Sequence, residues 1–400
     1  MQATFLMSTR IIHGAGVLGG LGQTAAGMKL SNVLVITDRN ITPQKFYTDA
    51  VSSLREAGIN VNVYDGCGID AHLAEVDEQA GRVVLEGIDG VIAIGGGSVM
   101  CVGKAVAIVA ANPPTFRNCA GVASFPNRAV KMIMVPTTAG SGAEVSQFTL
   151  VKDDERGSKF VGGGPLSFPD VAMLDPVVLA AIPERLAAVS AVDALTHAVE
   201  AMFTDFATPL TDGLAATAVS LLIRSAPDAI HARSAPACAE NLLGSAIANM
   251  ACGNARLGLA HALSLPLEAQ HHLSHGYGVG ILLPHVLAFN AKVATGKVRQ
   301  LAQAMGVAEQ GVADPEVLAR VVAEIRRFYD RISFPQSFAG VLEEPPCLNT
   351  VARAAVPGLY GTGSTENISD ATQIATPNIR KATVAEAADI YKACFNLPVS

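Results

Sequence analysis

The chain changes character near residue 175, and that change limits its possible folds more than any other feature. Up to about Asp175, short runs rich in Val and Ile alternate with helical patterns and glycine turns. The runs are Asn32–Thr37, Val61–Tyr64, Val91–Ile94, Lys131–Val135 and Val171–Leu174. Each is nearly continuous in apolar residues, as expected of strands buried on both faces of a parallel sheet. Pro43–Ala57 and Glu75–Glu86 carry helical patterns between them. This rhythm predicts a doubly wound α/β domain. Gln147–Val151 and Lys159–Val161, around the charged turn Asp153–Gly157, predict an appended hairpin. After Asp175-Pro176 the β signal disappears. Ala187–Ala201, Leu214–Ile223, Glu240–Ala251 and Val317–Phe328 read as long helices, so the second half is expected to be all-α. The boundary falls near Ile182–Arg185, giving an α/β domain over residues 1–182 and a helical domain over 183–400.

Two domains agree with a length of 400 residues, beyond what one core usually holds. With 50% hydrophobic and 16% charged residues, the chain is not of the disordered class. A net charge of -7 argues against a nucleic-acid partner, since phosphate binding needs a basic surface. A membrane-spanning helix needs about 20 apolar residues. The nearest stretch, Val99–Ala111, contains Lys104 and is followed by Pro113-Pro114. Met1–Gly16 does not read as a signal peptide. The seven cysteines are scattered and never form a CxxC pair, as expected of reduced thiols in a cytoplasmic protein.

Three features point to a nucleotide. Gly95-Gly96-Gly97-Ser98 follows an apolar run and opens the helical stretch Val99–Ala111. Glycines let backbone approach a ligand closely, and free amides at a helix start attract anions such as a pyrophosphate. On its own, an ordinary strand-to-helix turn is an equally good reading. Pro136–Glu144, with Thr137 and Thr138, places a second polar loop at the end of a strand, where open α/β sheets bind ligands. Asp38 ends the run Val33–Thr37 and could accept hydrogen bonds from an adenosine ribose, although a turn-capping aspartate is the commoner role at such a place.

A fourth feature suits a metal. Asp193 and His197 are four residues apart in a helical stretch, so they share a face. With His261 and His275 they make one carboxylate and three imidazoles, a donor set for Fe²⁺ or Zn²⁺. Spacing alone leaves His271, His272 and His285 as rival ligands among nine histidines.

With these features in order, the chain resembles the iron-containing (group III) alcohol dehydrogenase family. The resemblance runs through Val33–Asp38, Gly95–Ser98, Pro136–Glu144, Val192–Glu200, Gly258–Ala262 and Ile281–His285, and in part through Asn378–Thr383. It implies a dinucleotide-binding domain, a helical metal- and substrate-binding domain, and a site in the cleft between them. It implies Asp193, His197, His261 and His275 as ligands of a divalent metal, foremost Fe²⁺ with Zn²⁺ as the other candidate. It implies Gly96, Gly97 and Ser98 at the pyrophosphate of NAD, Thr137, Thr138 and Lys159 near the cofactor, and Asp38 as the acid that favours NAD over NADP. Phe148 and Cys252 fall where relatives line the substrate pocket. The implied activity is hydride transfer between NAD(H) and a small alcohol/aldehyde pair, in a cytoplasmic homo-oligomer (dimer or larger). The alternatives are a relative such as maleylacetate reductase or glycerol dehydrogenase, or a non-catalytic metal- or nucleotide-binding protein.

The sequence also departs from the family. Cys101 stands where an aspartate is usual, and Leu265 where relatives carry a further histidine four residues after His261. The stretch Leu267–Leu273 is atypical. A proton route through position 265 is therefore absent, leaving His271, His272, or the cofactor ribose with bulk water.

Overall fold

The computed structural model describes residues 4–155, 158–356 and 373–398. Contacts divide the chain into two compact units. The first comprises Phe5–Pro183 with Arg233–Asn249, and the second is built mainly from Glu184–Ala232 and Met250–Ser400.

The first unit carries nine strands: β1 Arg10–His13, β2 Asn32–Ile36, β3 Asn60–Tyr64, β4 Gly90–Gly95, β5 Gly121–Val122, β6 Lys131–Pro136, β7 Phe148–Asp153, β8 Ser158–Gly163 and β9 Val171–Leu174. Six form one sheet in the order β1-β9-β6-β4-β2-β3, and every pairing in it is parallel. The predicted α/β class is borne out. All five apolar runs are strands, and β4 is buried along its whole length. β7 and β8 pair antiparallel as the appended hairpin, with β5 added beside β8. The edge strand β1 has no counterpart among the expected runs. Its sequence, Arg-Ile-Ile-His, is half-exposed and too short to show a pattern.

The order of strands locates the place for a ligand. From β2 the chain moves outward to β3, then returns to β4 on the other side of β2 and continues to β6 and β9. Such a reversal opens a crevice at the carboxyl ends of β2 and β4. The α-helices within Phe5–Pro183 are α1 Leu21–Gly27, α2 Lys45–Glu56, α3 Leu73–Leu85, α4 Gly97–Ala111 and the short α5 Phe116–Cys119. The helix α4 packs deep in the core, with Val102 to Ile108 buried.

Within that core, Lys104 of α4 is fully buried and donates to the carbonyls of Ala143, Ser146 and Phe148 at 2.8, 2.6 and 2.8 Å. It thereby pins the loop that follows β6. Burial pushes its ammonium down to about 8, opposed by Cys101 and Glu144. Burial likewise pushes the Glu144 carboxyl up to about 7, opposed by its backbone amide and by Lys104. A carboxyl whose folded pKa is raised binds more protons folded than unfolded. Its stabilisation is full below the ordinary value and is lost as pH rises through about 7. Glu144→Gln fixes the neutral form. The Tm of wild type is therefore expected to fall relative to that of Glu144→Gln between pH 5 and pH 7.5, by a few degrees. Thermal melts at both pH values check this, and a constant difference between the proteins contradicts it.

The second half of the sequence is helical, as expected: α6 Glu184–Met202, α7 Pro209–Pro227, α8 Ala235–Ala255, α9 Leu259–His271, α10 His275–Ala291, α11 Thr295–Ala304, α12 Asp314–Arg331, α13 Leu348–Ala354 and α14 Val384–Cys394. Arg233–Asn249 nevertheless pack with the first unit. Arg233 donates to the Leu179 and Ile182 carbonyls, and Asn249 donates to the Gly140 carbonyl. In the helical unit α6 is central: every residue from Ala187 to Met202 is buried. A helix apolar on all sides belongs inside a bundle, so polar residues on it need a reason. Among the described residues no helix is long and apolar enough to cross a membrane.

Candidate metal centre and nucleotide-binding loops

Asp193 and His197 lie one turn apart on the buried helix α6. Glu200 lies on the same face one further turn along, at i+7 from Asp193. Its carboxylate accepts the backbone N–H of Gly258 at 3.0 Å and of Ala260 at 2.5 Å, which are the first amides of α9. Free amides at a helix start need acceptors, and a carboxylate suits the positive dipole end. Asn378 accepts the Leu259 N–H beside them, and its side chain is paired with that of Asn290 at 2.7 and 3.1 Å. This gives the Asn378–Thr383 stretch a structural role: it caps α9. With α9 docked in this way, His261 faces α6.

The rings converge on one oxygen. The Nε2 atoms of His275, His197 and His261 lie 3.5, 3.6 and 3.8 Å from Asp193 Oδ1. His197 and His261 stack with centroids 4.8 Å apart, and His261 and His275 are tilted at 5.3 Å. These Nε2–Oδ1 distances exceed those of good hydrogen bonds, about 2.7–3.2 Å. They match donors sharing a small cation, since ligands about 2.1 Å from one ion in a tetrahedral array sit about 3.4 Å apart. Two of the buried atoms, Asp193 Oδ1 and His261 Nε2, have no hydrogen-bond partner. Leaving such atoms unpaired costs about 1–3 kcal/mol each, so the cluster is built for a guest. The donor set of nitrogen and oxygen, buried and aimed at one point, fits a divalent first-row metal.

Outer carboxylates set the ring tautomers. His261 Nδ1 lies 2.6 Å from Glu200 Oε2, and His275 Nδ1 lies 2.7 Å from Glu268 Oε1. An ionised carboxylate only accepts, so each Nδ1 carries the proton, and in the neutral ring Nε2 keeps its lone pair for a metal. Burial pushes His197 down to about 4 against the pull of Asp193, so it is neutral near pH 7. Burial works against ionisation of Asp193, but His197, His261 and His275 outweigh it and hold the carboxyl well below its usual range. His261 is raised although burial opposes this, because Glu200 and Asp193 favour its charged form. His275 is raised further by Glu268 and Asp193, again against burial. Its side chain is 43% exposed, so solvent screens part of that attraction. His275 is also the open side of the cluster, since His197, Asp193 and His261 are exposed by 10% or less.

The other histidines lie outside the cluster. His271 and His272 are exposed at the end of α9, where His272 takes a left-handed conformation at φ 53°. His285 is half-buried on α10, and burial pushes it down to about 4. Leu265 is half-buried one turn after His261, so no base stands there. Cys252 is buried, and burial together with Asp193 and Glu200 pushes its thiol up. Its thiol is therefore neutral near pH 7.

In the first unit, Asp38 follows β2 and the glycines follow β4, its neighbour in the sheet. Helix α4 starts at Gly97 behind Gly96, with no side chain capping its first amides. A Cβ on Gly97 would lie 2.9 Å from Ser141 Oγ, so glycine keeps a narrow cradle open. Both observations fit a phosphate-bearing guest. Thr137 donates its N–H to the Gly95 carbonyl, joining the two loops, and Thr138 lies beside Gly96. Gly142 has φ +56°, and a Cβ there would meet Asn249 at 2.0 Å. Ser98 Oγ accepts the Asp70 N–H, and Asp70 pairs with Lys159 at 2.8 Å. Lys159 thus stands at the glycine loop, held by an acid that the sequence reading did not single out. Asp38 Oδ1 accepts the Asn40 N–H at 2.8 Å, which is the turn-capping role. Phe148 opens β7 and is half-buried. Thr149 donates to the Cys101 carbonyl, and Cys101 is half-buried on α4.

Among the functional residues, sequence reasoning missed Glu200, Glu268 and Asp70. Only Glu200 had a readable signal, as the third polar residue at positions i, i+4 and i+7 of an apolar helix.

Comparison with known proteins agrees with this geometry. The sequence matches the family model for iron-containing alcohol dehydrogenase over residues 8–176 and that for the C-terminal part of the Fe-containing alcohol dehydrogenase family over residues 187–394. Lactaldehyde reductase of Escherichia coli (strain K12) is 30% identical over 393 residues, 98% of this chain and 99% of that protein. NAD-dependent methanol dehydrogenase of Bacillus methanolicus is 29% identical over 351 residues, 86% of this chain and 91% of that protein. Among solved structures, a 1,3-propanediol oxidoreductase superposes with a TM-score of 0.91 at 27% identity, covering 99% of this chain and 100% of the other. The chain belongs to the iron-containing alcohol dehydrogenase family and is an enzyme of that metal-dependent oxidoreductase class.

Proposed function

We propose that this enzyme transfers a hydride between NAD(H) and a small, uncharged alcohol/aldehyde pair. In this reading Asp193, His197, His261 and His275 hold a divalent metal, Fe²⁺ in preference to Zn²⁺. The observation that carries it is the convergence of three imidazole Nε2 atoms on Asp193 Oδ1 at 3.5–3.8 Å, with two of the four donor atoms otherwise unpaired. When bound, the ion supplies Lewis acidity to a substrate oxygen and the nicotinamide supplies the hydride acceptor.

The chain's own residues do the rest. Residues 1–182 form the dinucleotide-binding domain and 183–400 the metal- and substrate-binding domain. The amides of Gly97 and Ser98 behind Gly96 bind the pyrophosphate, helped by Thr137, Thr138 and Lys159. Phe148 and Cys252 line the substrate pocket with uncharged surface. Glu200 and Glu268 keep two imidazoles in the ligand-competent tautomer. With Asp193 they bring three carboxylates to the site, so a divalent ion leaves it with a net negative charge. A carboxylate-bearing substrate is disfavoured there, which argues against a maleylacetate-type reaction. Leu265 holds no proton, so position 265 supplies no base for the substrate proton. The enzyme works as a cytoplasmic homo-oligomer, a state that light scattering on the purified protein reads directly.

The test is metal analysis of purified protein, titration with NADH followed by fluorescence, and an assay with a panel of alcohols. Stoichiometric metal, saturable NADH binding and turnover of an alcohol are expected. Absence of NADH binding and turnover in metal-loaded protein would leave a non-catalytic binding protein.

Asp38 is expected to set the cofactor preference by repelling a 2′-phosphate. Asp38→Gly should raise kcat/KM for NADP relative to NAD by about tenfold or more, which corresponds to about 1.4 kcal/mol. Its cap on Asn40 is an exposed turn, so the fold should tolerate the change. If wild type already prefers NADP, the carboxylate does not act at the ribose.

A further inference from the structure

We propose that Glu268 is a positioning residue for His275, the one exposed member of the metal cluster, and that it thereby sets how tightly the metal is held. The inference rests on the reading of His275 as a ligand.

Glu268 belongs to the atypical stretch between His261 and His275. It shares a face of α9 with His261, Ser264 and Leu265, at i+7, i+4 and i+3 spacings. Its carboxylate is an odd choice for that place. It lies in the last turn of α9, where the helix dipole disfavours negative charge. The compensation comes from the next helix. His275 is the first residue of α10, and its Nδ1 lies 2.7 Å from Glu268 Oε1. The same Oε1 accepts the Ser264 hydroxyl at 2.6 Å. Ser264 is fully buried, and α10 presses against it: a Cβ on Gly278 would lie 2.0 Å from Ser264 Oγ. The Glu268 side chain, 14% exposed, is therefore held by a hydroxyl that the helix packing immobilises.

His275 needs such a hold more than its partners do. His197 is 8% exposed and His261 2%, so neighbours confine their rings. His275 is 43% exposed at a helix start, where a ring could turn to water. An ionised carboxylate on Nδ1 fixes the ring plane and the tautomer together, and aims Nε2 at Asp193. Glu200 does this for His261 from α6, and Glu268 does it for His275 from α9.

The test uses the full-length protein stripped of metal and titrated with Co²⁺, read by visible absorption, with circular dichroism of each apoprotein to confirm folding. Glu268→Ala is expected to raise the Co²⁺ dissociation constant about ten- to hundredfold. Glu268→Gln keeps an acceptor for Nδ1–H and should lose less, and Ser264→Ala should shift affinity in the same direction by a smaller factor. His275→Ala, as the control, should lose more than any of them. If His275→Ala is weakened while Glu268→Ala and Glu268→Gln both bind within about threefold of wild type, Glu268 does not position the ligand and the proposal falls. If His275→Ala itself binds as wild type, the ligand assignment fails first and takes the proposal with it.

Discussion

His261→Ala is expected to abolish tight metal binding and to lower kcat/KM by at least about 10³-fold, the several kcal/mol that Lewis-acid stabilisation supplies. The imidazole contributes a buried Nε2 with no protein partner, so its removal deletes a ligand, and it also takes away the Nδ1–H that Glu200 accepts. No neighbour can replace it, because one turn on stands Leu265 and the residues beside it on α9 are Ala260 and Ala262. The fold should survive. Glu200 keeps the Gly258 and Ala260 amides after the ring is gone, so α9 stays docked on α6. Elemental analysis of the purified variant, together with its steady-state kinetics, gives the answer. A full equivalent of tightly bound metal with unchanged activity would remove His261 from the site.

Much of this arrangement was legible in the sequence, and the reason is periodicity. A strand buried on both faces leaves a run such as Val91–Ile94, and one helical turn leaves Asp193 and His197 four residues apart. The glycines before α4 were legible because close approach admits no Cβ, which Gly97 against Ser141 confirms. What was not legible depends on contacts between distant segments. Spacing alone could not choose His275 over His271, His272 or His285. That choice follows from how α10 packs on α9 at Gly278 and Ser264. Glu268 lay in a stretch set apart only as atypical, because its partner is seven residues away on another helix. Lys104 read only as an interruption of an apolar run. It is a buried ammonium whose three carbonyl acceptors lie about 40 residues further along, outside any local pattern.

The two outer carboxylates should differ in what they hold together, and Glu200→Ala separates the two cases. Glu268 meets a half-exposed ring, which water can serve in its absence, and a single hydroxyl. Glu200 is 2% exposed and accepts three donors: the Gly258 and Ala260 amides and His261 Nδ1–H. Removing one partner leaves buried donors unpaired, at about 1–3 kcal/mol each and more where the bond was charge-assisted. Relaxation and entering water recover part of this, so a loss of about 3–5 kcal/mol is a reasonable sum, the range found when a buried charged partner is removed. For a unit of this size each kcal/mol is about 2–4 °C in Tm, so the apoprotein should melt roughly 10 °C lower. Its metal affinity should fall as well, since His261 loses both its tautomer control and the docking of its helix. The decisive measurement is made without metal. Glu268→Ala should leave the apoprotein's Tm within a few degrees of wild type, whereas Glu200→Ala should not. If apo Glu200→Ala melts with wild type and only its metal affinity drops, Glu200 positions the ligand alone and the docking of α9 on α6 rests on apolar packing and Asn378.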